Sequence, residues 1–526
     1  MTRRATRSAV LLSLLTATPA LLGAQANAAR APRRASAAAE ARAAETISET
    51  DFRAKLGALA HDSTRGRETP SPELDRAADW VAARFRAAGL RPAGDGGGFL
   101  QRFQLRRTRL DSLSTATVSG PGHSTRWTLG REFIILGGVP SDSRDLPVVL
   151  MAGLPTDTAR PFGDVPVRGT AVLLALPLTQ LTGAVVNPLA QRATSEGVAA
   201  LVVLAAMPAG IWERNAGRPA AERWVLADSA GRAADGGIAV SMVRLDFAAD
   251  FLRAAGEDSA TIFTPERRGI RPVSGFTLST ALHNAVAEDL TFANVVGVLE
   301  GSDRTLRDEA VVFTAHYDHV GVVGGRCQPS RALPADSICN GADDNASGTV
   351  GIIELAEAFA TLRPRPARTL VFAAVSAEER GLFGARHYVA HPVVPLERTA
   401  AVINLDMIAR NPRDTVGMVE KDYTSLGTLV ERALQEHPEL RLALKAHPGP
   451  YQASDHFPFA QRGVPALFFF SGIHPDLHAA ADNVDRADVE QAARIARLAF
   501  LVGLEAANAV DRPTWDPQAR AQIVRP

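Results

Sequence analysis

The chain has 526 residues, 46% of them apolar, with lysine plus arginine and aspartate plus glutamate equal at 57 each. That length exceeds what one compact core usually supports, and the apolar content excludes a disordered chain, so two or more folded units are expected. The charge balance gives no electrostatic case for nucleic acid or an anionic membrane, and partners have to be read from a site.

The opening, MTRRATRSAVLLSLLTATPALLGAQANAAR, sets arginines before an apolar stretch from Ala9 to Leu22, then small residues with Ala24-Gln25-Ala26 or Ala26-Asn27-Ala28 as cleavage points. This is the layout of a secretory signal peptide over residues 1–28. A membrane anchor needs about 20 uninterrupted apolar residues, and Ser13, Thr16, Thr18 and Pro19 interrupt this run. The expected product is secreted or periplasmic, with no stable membrane association after cleavage. Residues 29–44 are low in complexity and read as a linker. SPELDRAADWVAARFRAAGL then predicts a helix: Ser71 caps it, Pro72 opens it, Leu74, Ala78, Val81 and Phe85 share one face, and Gly89 stops it.

From Leu110 to about residue 285 the texture changes to short β-type runs such as DLPVVLMAG, GTAVLLALP and VAALVVLAA. Histidine and acidic clusters are almost absent there, which predicts a separate β-rich module without chemistry. Beyond it, apolar strands alternate with helical stretches: AVVFTAH, ASGTVGIIELAEAFATL, TLVFAAVSA, AVINLDM, SLGTLVERALQEH, VPALFFF, and a closing amphipathic segment from Arg486. Such alternation predicts a mostly parallel, mixed sheet flanked by helices, an α/β fold whose ligands bind beyond the carboxyl ends of the strands. Within it the two cysteines, Cys327 and Cys339, lie twelve positions apart. They form either two buried thiols or, in an exported protein, a disulfide contributing on the order of 3 kcal/mol.

The strand ends carry the informative residues. His316, Asp318 and His319 follow AVVFTA; Asp343 and Asp344 precede the next helix; Glu378 and Glu379 follow TLVFAAVSA; Asp406 ends AVINL; His474, Asp476 and His478 follow VPALFFFSG. Imidazole nitrogens and carboxylate oxygens in that number suit zinc or a related divalent ion. Taken alone, any one of these residues reads as an ordinary loop group, and the ordered set of five segments is what points to a metal. No G-x-S-x-G elbow and no H-E-x-x-H stands in the chain, so neither a nucleophile-elbow hydrolase nor a thermolysin-like site is indicated.

With TAHYDHVG, NGADDNASGT, SAEERGLFGA, NLDMI and SDHFPF…PALFFFSGIHPDLH in order, the chain resembles the dizinc exopeptidases of metallopeptidase clan MH. These comprise secreted leucyl-type aminopeptidases with glutamate carboxypeptidase and transferrin receptor relatives. The resemblance covers about Glu45 to Val510. It implies a peptidase domain split over residues 45–109 and 286–526, with residues 110–285 as an inserted protease-associated domain. It further implies two zinc ions per chain, His316 and Asp406 on one, Glu379 and His478 on the other, and Asp344 bridging. The peptide bond from Asp344 to Asn345 is expected to be cis. Asp318 would accept from the far nitrogen of His316 and fix its tautomer, and Glu378 would be the general base. Relatives carry tyrosine before the last histidine ligand to stabilise the oxyanion, whereas Leu477 stands here, so either another donor substitutes, with Tyr451 the first candidate, or the metal alone stabilises the oxyanion. Asp455 and His456 line the pocket on this reading, His319 and His474 are supporting histidines, and Asp482 positions the His478 loop. The function implied is a secreted zinc aminopeptidase acting on peptides. The alternatives are a carboxypeptidase or dipeptidase using Arg380, Arg386 or Arg410 for a substrate carboxylate, and a non-catalytic receptor-like module.

Overall fold

The computed structural model describes residues 32–137, 142–155, 157, 160–216, 222–227, 238–447 and 451–525. The signal-peptide reading of residues 1–28 falls outside them. In chain order the elements are α1 (Ala37–Thr46), α2 (Glu49–Leu59), α3 (Pro72–Ala87), β1 (Arg91–Pro92), β2 (Leu100–Leu110), β3 (Thr115–Gly120), β4 (His123–Thr128), β5 (Phe133–Gly137), β6 (Ser143–Ala152) and β7 (Ala171–Pro177). Then come α4 (Gly183–Ser195), β8 (Ala200–Ala206), α5 (Ala209–Ala216), β9 (Arg223–Leu226), β10 (Val240–Arg244), α6 (Ala249–Ala254), β11 (Gly269–Ala281), β12 (Asn284–Leu299), β13 (Ala310–His316) and α7 (Gly348–Thr361). The last are β14 (Thr369–Val375), α8 (Phe383–Ala390), β15 (Thr399–Leu405), β16 (Thr415–Met418), α9 (Leu426–Glu436), β17 (Ala443–Ala446), α10 (His456–Gln461), β18 (Ala466–Phe469), α11 (Val489–Asn508) and α12 (Pro517–Ile523).

A ten-stranded sheet runs β17-β16-β18-β15-β13-β14-β12-β2-β9, with β1 on β12. Its centre is parallel: β13 lies between β14 and β15, and β15 pairs with β18. Toward one edge β12, β2 and β9 are antiparallel. Every residue of β13, β14 and β15 is buried, as expected of parallel strands covered on both faces and therefore written as unbroken apolar runs. Val311, Phe313 and Ala315 face a core shared with α1, α2, α3, α7, α9 and α11, while Ala310 and Val312 face α8 and α10. Each of these valine and phenylalanine side chains contributes about 1.5–3 kcal/mol by leaving water.

Register is what aligns the site. His316 pairs with Val375, three residues before Glu378, and Thr314 pairs with Asn404, two residues before Asp406. The carboxyl ends of three neighbouring strands thus deliver their polar residues to one edge.

Two expectations change. Residues 37–44, the second half of the stretch read above as a linker, form most of α1, which is capped by the Ser36 hydroxyl and buries Ala43 against the main core. Alanine is the best helix former, so low complexity here encodes a helix that docking stabilises. The middle region is also more than a run of β-strands. It forms a second sheet, β4-β3-β11-β6-β7-β8-β10-β5, with β6, β7, β8 and β10 parallel. Helices cover both faces, α4 and α5 on one and α6 on the other. The long strands β2 and β12 join this unit to the first sheet, and β9 returns from it to pair with β2 at that sheet's edge.

Candidate metal centre

At the end of β13, His316 is buried and its Nε2 lies 3.5 Å from Asp344 Oδ1 and 3.5 Å from Asp406 Oδ1. On the other side of Asp344, Oδ2 lies 3.1 Å from His478 Nε2, which is itself 3.1 Å from Glu379 Oε1. Two donor sets result, one of His316, Asp344 and Asp406, the other of His319, Asp344, Glu379 and His478, with all donor atoms of a set within 4.8 Å of one another. Asp344 is the shared member, one oxygen toward each set.

The residues fit a metal pair. Nitrogen and oxygen donors at that mutual spacing can all approach one ion at the about 2.0–2.2 Å typical of zinc. Asp406 Oδ2 accepts from Ser454 Oγ at 2.7 Å, while its Oδ1, the atom facing His316, has no hydrogen-bond partner among the described residues. Burial pushes the His478 imidazole down, but hydrogen bonds to Asp344 and Glu379 outweigh it and raise it to about 10. The pocket therefore favours positive charge at that point.

The backbone around these donors is held in place from several sides. The Asp344–Asn345 bond is cis. Asn345 donates to Leu405 O at 3.0 Å and accepts from Met407 N, tying the Asp344 loop to the end of β15. The buried Asp482 carboxylate accepts from Asp343 N and Asp344 N at 3.1 and 3.0 Å, so it positions the bridging residue rather than only the His478 loop. Ala377, Met407 and His478 all have φ near +55°. Non-glycine residues in that region are strained, and such strain gathers at functional sites. Here it falls just before Glu378, just after Asp406 and on His478 itself.

The adjacent acids Glu378 and Glu379 part company. Glu379 belongs to the second donor set, and although burial opposes its ionisation, hydrogen bonds from His319 and His478 hold it well below the usual carboxylate range. Glu378 belongs to neither set. It lines the same cleft, 4.0 Å from His316 Nε2, and burial, reinforced by Glu379, Asp455 and Asp406 against His316, pushes it well up. Opposite shifts on neighbouring carboxyls mark separate roles.

Asp318 differs from expectation. Its Oδ1 is 3.8 Å from His316 Nδ1, outside hydrogen-bond range, and Nδ1 faces the Asp318 carbonyl oxygen at 3.2 Å instead. The carboxylate accepts from Thr69 Oγ1 at 2.9 Å, Glu378 N at 3.1 Å and Glu379 N at 3.4 Å. It positions the two glutamates, and the main chain orients the histidine. Sequence reading also missed Arg67, fully buried and donating to the carbonyls of Leu59, Tyr317, Asn340 and Gly341. Nothing local to HDSTRGRETP marks it as a brace between two ligand loops.

The remaining expectations resolve as follows. Cys327 and Cys339 are disulfide-bonded. Next to them Gln328 N donates to His478 O, and Arg326 donates to Glu379 O. Tyr451 is buried beside Tyr423 and His456 and does not line the cleft, whereas its neighbour Gln452 does. Asp455 and His456 are likewise buried behind the cleft and do not line it, with His456 stacked on Phe468. His474 lies 3.3 Å from Asp343 Oδ2, outside both donor sets. Arg380 stacks on Trp224 and donates to Thr69 O, Arg386 lies over Phe383, and Arg410 pairs with Asp476 at 2.6 Å. None of the three lines the cleft, whose walls are Leu382, Met407, Val419, Phe468, Phe470 and Leu477.

A helix-covered sheet with a parallel centre thus gathers carboxylates and imidazoles at its strand ends into a candidate metal centre. Residues 294–502, the segment that carries every member of both donor sets, match the model for Peptidase family M28. It is 28% identical over 167 residues to a probable zinc metalloprotease of Leptosphaeria maculans, which covers 32% of this chain and 34% of that protein. To a glutamate carboxypeptidase 2 homolog of Caenorhabditis briggsae it is 29% identical over 237 residues (39% and 31%), and to aminopeptidase YwaD of Bacillus subtilis 25% over 232 residues (42% and 46%). The chain thus spans about a third of the length of the first two. An aminopeptidase structure from Aneurinibacillus sp. strain AM-1 aligns over 91% of this chain and 98% of its own with a TM-score of 0.51 at 19% identity, a likeness of fold.

Proposed function

We propose that the protein is a secreted, two-zinc aminopeptidase that removes N-terminal residues from peptides. The observation that carries this reading is the division of labour at the strand ends: two donor sets share Asp344, and Glu378 stands in the same cleft outside both. Paired zinc ions, when bound, supply Lewis acidity to the scissile carbonyl and make water a nucleophile at neutral pH. The chain's own contribution is proton handling and positioning. Glu378, uncoordinated and with its proton affinity raised by burial, takes a proton from the attacking water and returns it to the leaving amine. Asp318 fixes the Glu378 main chain from behind. The apolar cleft walls exclude water and receive a substrate side chain. Gln452 lines the cleft beside Ala453 and offers there a side-chain donor that Tyr451, buried behind it, does not.

A free α-amine suits this acidic, arginine-free cleft better than a substrate carboxylate, which favours the aminopeptidase over the carboxypeptidase reading. The second sheet is assigned as a protease-associated domain, supported by its insertion between β2 and β12. The test compares a free-amine peptide with its N-acetylated form and follows which terminus shortens. Release of the first residue from the free-amine peptide alone is expected, and shortening from the carboxyl end would contradict the assignment.

A further inference from the structure

The two donor sets are unequal. The first offers His316, Asp344 and Asp406, whereas the second offers Asp344, Glu379, His478 and, in addition, His319. His319 Nδ1 lies 3.1 Å from Glu379 Oε1 and 3.6 Å from Asp344 Oδ2. Its ring meets that of His478 edge-on, at 5.7 Å between centroids. His319 is buried, and its Nε2 has no hydrogen-bond partner among the described residues, so the hydrogen bonding of this side chain is directed at the donor set. The ring is also seated. Gly341, at φ +57°, lies so close beneath it that a Cβ there would fall 2.5 Å from His319 Cδ2. From the main chain, His319 N donates to Arg67 O at 3.1 Å. A solvated loop histidine needs neither the cradle nor the anchor.

We propose that His319 is a direct ligand, through Nδ1, of the second metal ion, which makes the two ions of the centre chemically distinct. The second ion has four protein donors, the number that closes a tetrahedral zinc site. The first has three and keeps a position open, as catalytic zinc sites do. The second ion is accordingly the tightly held one, and exchange with substrate and water falls to the first. This rests on the two-zinc reading above.

The competing role for His319 is donation of Nδ1–H to Glu379, and His319→Asn separates the two. An asparagine amide replaces that donor but does not supply an imidazole ligand. Zinc content is measured on wild type, His319→Ala and His319→Asn after dialysis against graded chelator. X-ray absorption of the wild type counts imidazoles per zinc. Expected are two ions in the wild type sharing three imidazoles, and in both variants a loss of affinity for one ion greater than about 100-fold, beyond the roughly 10–100-fold typical of losing an outer partner. Two ions sharing only two imidazoles, or affinity restored by His319→Asn, would overturn the inference alone. Fewer than two ions in the wild type would overturn the two-zinc reading and this inference with it.

Discussion

The two sheets of this protein are built alike and equipped differently. Both have a parallel centre with helices on both faces. In the ten-stranded sheet the ends of β13, β14 and β15 lead into His316, Glu378 and Asp406. In the eight-stranded sheet the segments after β6, β7, β8 and β10 carry no histidine. Two of the acids there, Asp164 and Asp246, are paired with Arg160 and Arg244. The architecture is therefore not what confers chemistry; the residues placed at one sheet edge are.

That contrast breaks most visibly at Glu378. Glu378→Gln keeps both donor sets and removes the proton acceptor, so kcat should fall about 100- to 10,000-fold with zinc content unchanged. Steady-state kinetics beside metal analysis checks it. Asp318→Asn comes next. It weakens the acceptor for Glu378 N and Glu379 N without touching either donor set, and should cost roughly 10–100-fold in zinc affinity or kcat, read by chelator competition and turnover.

His456, at the start of α10 and stacked on Phe468 of the ten-stranded sheet, sharpens the comparison as a polar residue near the site with a structural role. Burial pulls it from 6.5 down to about 3, so it stays neutral in the fold while the unfolded chain takes up a proton. Stability is then lost as pH falls from about 6.5 toward about 3. His456→Phe should flatten that part of the curve, measured by melting temperature against pH in both proteins. The smallest effect belongs to the second sheet: Asp246→Ala removes an exposed ion pair and should change stability by no more than about 1 kcal/mol, with kcat unaltered.

How much of this was legible depends on distance along the chain. AVVFTAH, TLVFAAVSA and AVINL announce buried strands because both faces are covered, and Ser71, Pro72 and Gly89 bracket α3 with local chemistry. The candidate metal-site segments could be read because His316, Glu378, Glu379 and Asp406 stand at or just beyond the ends of their strands and Asp344 just ahead of α7. What was missed depends on contacts between distant segments. α1 is an alanine-rich run made a helix by docking on α7 and α11. α4 carries Pro188 inside it and α5 has only eight residues, and both lie among β-type runs that masked them. Asp318 holds the glutamates 60 residues ahead rather than the histidine two residues behind. His319 enters the second set because Gly341 leaves room for its ring.

The central claim is that one carboxylate, Asp344, joins two metal positions at the edge of one sheet. Zinc content of Asp344→Ala against wild type tests it most directly, with circular dichroism to confirm the fold. Expected are two zinc ions per wild-type chain and, in Asp344→Ala, loss of both at chelator concentrations the wild type withstands. A folded Asp344→Ala protein that retains both ions would contradict it.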